Sequence, residues 1–225
     1  MISYMKNLLI LIFFVHCLKA EKSLLDINNS ATGFSNLVLF QIIANGNSSS
    51  GIGSTDKIIF VTSTTFVGNL GGITGADLKC MNDANFPGTG IYKALLVDGV
   101  SRSSPLGSNV DWVLKPLYNY YNSGGALSFT ANTQGIIPTG NLQNPIITSN
   151  ARQIWTGLLA DWTDATYTQN CQRWSMDDDG TSTLMGTVGR VGSSILSVST
   201  TIFESSSIVC ANAPANSKSL LCIEQ

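Results

Sequence analysis

Four cysteines, Cys80, Cys171, Cys210 and Cys222, lie in the later part of this 225-residue chain and constrain its fold more than any other feature. An even set of cysteines in an exported chain reads as two disulfides. Export is what the N-terminus indicates. Lys6 supplies a positive start, and residues 8–15 (LLILIFFV) form an apolar run of signal-peptide length, too short to span a bilayer as a stable helix. Four cysteines allow three pairings, and spacing alone does not choose among them.

Two processing routes follow from residues 1–20. Cleavage after Ala20 puts Leu18 and Ala20 at the positions an ordinary signal peptidase reads. Alternatively, Phe14-Val15-His16-Cys17 looks like a degenerate lipobox, with Cys17 lipidated and His16 standing where a small residue normally precedes the cysteine. Either route leaves the same four cysteines for the folded part, and removal of residues 1–20 takes Lys6 and Lys19 with it and moves the net charge from −2 to −4. The mature protein is mildly acidic. With 12 basic against 14 acidic residues and no basic run, nothing attracts a phosphate backbone, so nucleic acid is not an expected partner.

The only histidine, His16, lies inside the segment expected to be removed. A mature chain without histidine cannot build a Ser-His-Asp triad, a Cys-His pair or a histidine-ligated zinc site, so no enzyme activity and no cofactor are expected. Charged residues are only 12%, about half the usual share, and serine, threonine, asparagine and glycine do the solvating instead. Such a composition favours strands, turns and long loops over charged amphipathic helices.

Along the chain, residues 1–20 are the signal, 21–55 a tether and 56–225 the compact domain. The tether holds an apolar run at 34–44 (FSNLVLFQIIA) and a flexible linker at 45–54. Residues 57–64 (KIIFVTST) are β-branched and bounded by polar turns, which predicts a strand. After a glycine-rich turn at 68–72, Thr74 with Asp77 three residues on reads as a helix capping box. Ala76, Cys80, Met81 and Ala84 fall on one helical face, which points Cys80 into the core. Residues 92–97, 154–158, 171–174 and 220–223 read as further strands, 111–114 as a short apolar element and 118–150 as more loop than element. One helix, short strands and long loops make an α+β domain.

Three constellations bear on chemistry. The turn at 68–75 has the context of a dinucleotide-binding loop, but Leu70 stands where the first glycine of that fingerprint belongs. Asp177-Asp178-Asp179-Gly180 is the densest acidic cluster. As an EF-hand loop it would place Ser175 and Gly186 at the terminal ligand positions, so only an irregular calcium site on Asp177 and Asp179 stays open, with a solvated loop tip as the plain reading. Nothing in the sequence sets any two of these acids across a sugar as a glycosidase pair. Trp112, Trp155 and Trp174 have apolar or strand-like neighbours and belong in the core. Trp162 sits in a polar stretch at 160–170 (ADWTDATYTQN) and is expected to be partly exposed.

Several pieces together are recognisable. The strand at 57–64, the run Gly71-Gly72-Ile73-Thr74-Gly75-Ala76-Asp77-Leu78-Lys79-Cys80 and the strand Tyr92-Lys93-Ala94-Leu95-Leu96 resemble the opening of the endostatin-like domain, a variant of the C-type-lectin fold. The strings Asp111-Trp112-Val113-Leu114 and Trp155-Thr156-Gly157-Leu158 and the ending Cys222-Ile223-Glu224-Gln225 are similar to the leptospiral endostatin-like surface proteins, the DUF1554 family. The resemblance spans about 56–225. It implies nested disulfides, Cys80 to Cys222 with Cys171 to Cys210 inside. It also favours lipidation at Cys17 on a bacterial outer membrane over secretion. Sugar-binding lectins carry a Glu-Pro-Asn or Gln-Pro-Asp motif, and neither occurs in this chain.

Members of that family bind host laminin and fibronectin, and some bind plasminogen or complement factor H. The resemblance therefore implies a non-catalytic surface adhesin. A calcium- or carbohydrate-binding lectin-like module is the alternative, and a carboxylate-based glycan hydrolase stands behind both. The expected contact surface is Trp162, Asp164 and Tyr167 on one loop and Asp177, Asp178 and Asp179 on another, with few charges and hence weak salt dependence.

Overall fold

A computed structural model describes residues 55–176, 184–211 and 214–225. The chain divides into two units, Met1–Gly51 and Ile52–Gln225, and all described residues belong to the second. Cys17, the signal, the run at 34–44 and the acidic tip Asp177, Asp178 and Asp179 lie outside the described residues.

The first strand, β1 (Asp56–Val61), is apolar on both faces because it is covered on both. Ile59 and Val61 join one buried cluster with Leu95, Val97, Tyr120 and Ile223, while Phe60 joins a second with Ile73, Ala76 and Tyr92. Helix α1 (Gly72–Met81) supplies that second cover through Ile73, Ala76 and Cys80. Strands β2 (Tyr92–Ala94), β3 (Asn119–Asn122), β4 (Leu127–Thr130) and β8 (Leu221–Glu224) complete a five-stranded sheet of order β2-β8-β1-β3-β4. Only the β1–β3 pairing is parallel within it. A second antiparallel sheet is formed by β5 (Arg152–Trp155), β6 (Met185–Val191) and β7 (Ser205–Val209). Short helical turns α2 (Cys171–Trp174) and α3 (Val198–Ile202) complete an α+β fold with few helices. Among the described residues no helix is long and apolar enough to cross a membrane.

Both disulfides form with the nested pairing. Cys80 bonds Cys222 across 142 residues and ties α1 to β8, while Cys171 bonds Cys210 across 39. Loop-closure entropy makes these worth on the order of 5 and 4 kcal/mol. All four cysteines are fully buried in the second cluster beside Trp155 and Trp174, whose rings lie 5.6 Å apart. Such bridges mark a chain folded in an oxidising, exported setting.

The start of β6 passes the inner bridge closely. A Cβ on Gly186 would lie 2.3 Å from the Trp155 ring and 3.0 Å from Cys171 Sγ. No side chain fits there.

Several local expectations are corrected. Thr74 is not a cap: α1 starts two residues earlier, after Gly71 at φ 78, and has no side-chain cap. A left-handed residue before a helix favours glycine, which explains the pair Gly71-Gly72. Asp77 accepts instead from the Arg102 guanidinium and from the Ala94 N–H. The stretch 118–150 is more loop than element, as expected, although it holds β3 and β4. Strand β2 ends at Ala94, three residues short of the expected end. Cys171–Trp174 is not a strand but a left-handed turn, described below.

Candidate binding surface

Two irregular segments, 98–111 and 159–169, are held to one another by a carboxylate. Asp164 accepts from the Ser103 hydroxyl and, at 2.9 Å, from the Ser104 N–H. Ser103 Oγ in turn accepts from the Ser108 N–H at 2.8 Å. Within the first segment, Asp98 is 6% exposed and accepts from the N–H groups of Val100, Ser101 and Arg102 at 2.8, 2.7 and 3.0 Å. A buried carboxylate that accepts several backbone donors fixes a loop as firmly as a strand pairing would.

The anchor beneath is Arg102, whose side chain has no exposed surface. Its guanidinium donates to Asp77 at 3.0 and 2.7 Å, to Asp111 at 3.1 and 2.7 Å and to the Ala94 carbonyl at 2.9 Å. Burial disfavours the charged guanidinium, but the hydrogen bonds to Asp77 and Asp111 outweigh it and raise its pKa above the ordinary value. For Asp111, burial likewise opposes the charge, and hydrogen bonds from Lys93 and Arg102 win, so its carboxyl is held below the usual range. Valines and a leucine ride on this frame. Val100, Leu106 and Val110 are 53, 41 and 39% exposed.

The expected contact residues separate. Asp164 is a half-buried loop tie. Tyr167 is 52% exposed, in a short 3-10 turn, with the Arg173 guanidinium 5.6 Å from its ring. Trp162, expected at the surface, is instead 6% exposed. Its positive φ of 67 turns it inward, where its ring meets Trp112 edge-on at 6.1 Å. Asp161 is exposed and accepts from the Thr163 hydroxyl and N–H, which hold its carboxyl below the usual range. Among the described residues no group of three or more His, Cys, Asp or Glu side chains could hold a metal ion.

Two features of this surface went unread in the sequence. The first is Arg102, an isolated arginine among serines with no pattern to mark it. The second is the turn at Cys171–Trp174, where four successive non-glycine residues hold φ of 51, 51, 60 and 62. Left-handed geometry costs L-residues roughly 1–2 kcal/mol each. The surroundings over-determine it. The Cys210 bond fixes Cys171, and the Asn170 side chain accepts from the Arg173 N–H at 2.9 Å. The Trp174 indole donates to the Val97 carbonyl at 2.8 Å. Between two buried anchors, Cys171 and Trp174, the turn thrusts Arg173 into solvent.

A family model described as a protein of unknown function, DUF1554, matches residues 63–194. No curated protein matches the chain.

Proposed function

The chain belongs to the DUF1554 family, and from that membership we propose that it is a non-catalytic binding protein of the bacterial cell surface that engages host extracellular-matrix or serum proteins. One observation carries the reading. Asp164 locks segments 98–111 and 159–169 together over a buried arginine, so an irregular surface is fixed before any partner arrives. Preorganised loops lower the ordering cost of association, which is how a rigid scaffold turns loops into a recognition surface.

The architecture supports a C-type-lectin-like, endostatin-like assignment for 56–225. Helix α1 is bonded to the closing strand, β8 lies between β1 and β2, and the second bridge is nested within the first. Display follows from a lipid on Cys17, with residues 21–55 as tether. Mass spectrometry of the mature N-terminus tests the anchor, and a chain starting at Glu21 without lipid refutes it.

The function itself is tested by solid-phase binding of the full-length protein to laminin, fibronectin, plasminogen and complement factor H, with a reduced and alkylated control. Saturable binding by the folded form to at least one is expected. Absence of binding to all four, with native circular dichroism retained, overturns the reading.

A further inference from the structure

The two disulfides are mechanically unlike. The outer one joins regular elements: Cys80 stands in α1, and Cys222 stands in β8, which pairs with β1 on one side and β2 on the other. The inner one starts from the left-handed turn. Cys171, Gln172, Arg173 and Trp174 hold φ of 51, 51, 60 and 62 in succession, a conformation that any residue with a Cβ resists. Backbone strain of this kind persists only while its surroundings enforce it, and it gathers at switch regions.

The bridge is one of the enforcing contacts, and it has no spare room. A Cβ on Gly68 would lie 2.5 Å from Cys171 Sγ and 2.8 Å from Cys210 Cβ, and a Cβ on Gly186 would lie 3.0 Å from Cys171 Sγ. Two bonded sulfurs fit between these glycines. Two separate thiols cannot approach as closely as a covalent pair, so they need more width than a close-packed interior leaves. What can yield is the turn. Cys210 is held on both sides of its peptide, its N–H donating to the Leu184 carbonyl at 3.0 Å and its carbonyl accepting from the Gly68 N–H at 3.3 Å. Cys171 belongs to the strained side, one residue from half-buried Gln172 and two from exposed Arg173. The bridge therefore lies directly beneath the surface, under the segment that gains most by moving.

We infer that Cys171–Cys210 is a redox-sensitive switch: a dithiol reductant opens this bridge while Cys80–Cys222 stays closed, and the left-handed turn then relaxes. A thiolate of the reductant attacks one sulfur of the bridge and forms a mixed disulfide, releasing the other cysteine as a thiolate that takes up a proton. The second thiol of the reductant resolves this intermediate, so the reductant leaves as an internal disulfide and both cysteines end as thiols. Strain relieved on opening favours the reduced state, which makes the inner bridge the more oxidising of the two. Relaxation breaks the contacts that depend on the shape of the turn. These are the bond from the Leu70 N–H to the Trp174 carbonyl at 2.9 Å, the bond from the Trp174 indole to the Val97 carbonyl at 2.8 Å, and the seat of Arg173 over the Tyr167 ring at 5.6 Å. Arg173 and Tyr167 are both exposed, so the outer surface takes one shape oxidised and another reduced.

This regulation goes beyond the proposed binding function and does not depend on which partner is bound. The test is an equilibrium titration of the full-length protein in dithiothreitol redox buffers, with free thiols trapped by iodoacetamide and assigned by mass mapping. Cys171 and Cys210 are expected to label together at a reduced-to-oxidised dithiothreitol ratio about tenfold below the one that labels Cys80 and Cys222. At the lower ratio far-ultraviolet circular dichroism should be retained while tryptophan fluorescence changes reversibly, since Trp155 and Trp174 share a cluster with the bridge. Gln172 tunes the strain without touching either sulfur. Gln172→Gly accepts positive φ freely and should raise the ratio needed at the inner bridge about fivefold, whereas β-branched Gln172→Val should lower it by a similar factor. The outer midpoint should stay in place in both, and Gln172→Gly decides the matter alone if the valine variant does not fold. Opening of both bridges together, opening of the outer bridge first, unchanged tryptophan fluorescence, or an inner midpoint indifferent to Gln172→Gly overturns the switch.

Discussion

Arg102 Nη2 lies 2.7 Å from Asp77 Oδ2, and through that contact a fully buried arginine joins the exposed loop at 98–111 to the first helix. A buried charge with its partners in place contributes little net, but removing one member strands the others. Arg102→Ala should cost about 3 kcal/mol and shift the urea midpoint down accordingly. A midpoint unchanged within error would mean that Asp98 and Asp164 hold the loop without Arg102.

The same network sets an acid limit. The Asp111 carboxyl is depressed by Lys93 and Arg102, so its folded pKa lies below its unfolded one. The stabilisation it gives is complete above the ordinary carboxylate pKa and is lost as pH falls through the folded value. Asp111→Asn should therefore flatten the stability profile below about pH 4, as measured by thermal unfolding across a pH series. Equal slopes for both proteins would exclude this group as a source of acid sensitivity.

At the alkaline end, burial pushes the Tyr120 hydroxyl up to about 12, helped by neighbouring Tyr118 and opposed by the hydrogen bond it accepts from the Lys115 N–H. A raised tyrosine pKa favours the fold below the unfolded value near 10 and withdraws that support as pH climbs through the folded one. Ultraviolet titration of the native protein should show a late-ionising tyrosine that vanishes in Tyr120→Phe.

The inner disulfide makes a steric prediction. Gly186→Ala forces a methyl into the Trp155 ring and against Cys171 Sγ, and overpacking of this kind costs about 1–3 kcal/mol. The change needs no new charge and leaves both bridges in place, so mass mapping of the non-reduced variant should still find Cys171 joined to Cys210. A variant as stable as the wild type would show that β6 can move away from Trp155.

What the sequence showed and hid has physical causes. Strands β1 and β8 and helix α1 were legible because their apolar residues face a core on one or both sides. Strands β3 (NYYN) and β4 (LSFT) were hidden because their polar residues read as loop, although Tyr120 and Phe129 stack in the core at 4.9 Å. The cysteine pairing came through resemblance, as spacing leaves three choices. Trp162 misled because its neighbours are polar, while its own backbone conformation decides where it points. Cys171–Trp174 misled in the opposite sense. Its apolar ends suggest a strand, but the disulfide and the Trp174 hydrogen bond hold a conformation that no local preference favours.

Strand β8 comes from residues 221–224 and lies between β1 and β2, while Cys222 is the bonding partner of Cys80. The sheet therefore has a missing plank until residues 221–224 have been delivered. Until then β1 and β2 lack the strand that pairs with both, so this sheet cannot close partway through the chain. Oxidation follows the same order: before Cys222 arrives, Cys80 has only Cys171 or Cys210 to meet within the domain, so bridges formed early are non-native ones that must exchange before Cys80 finds Cys222.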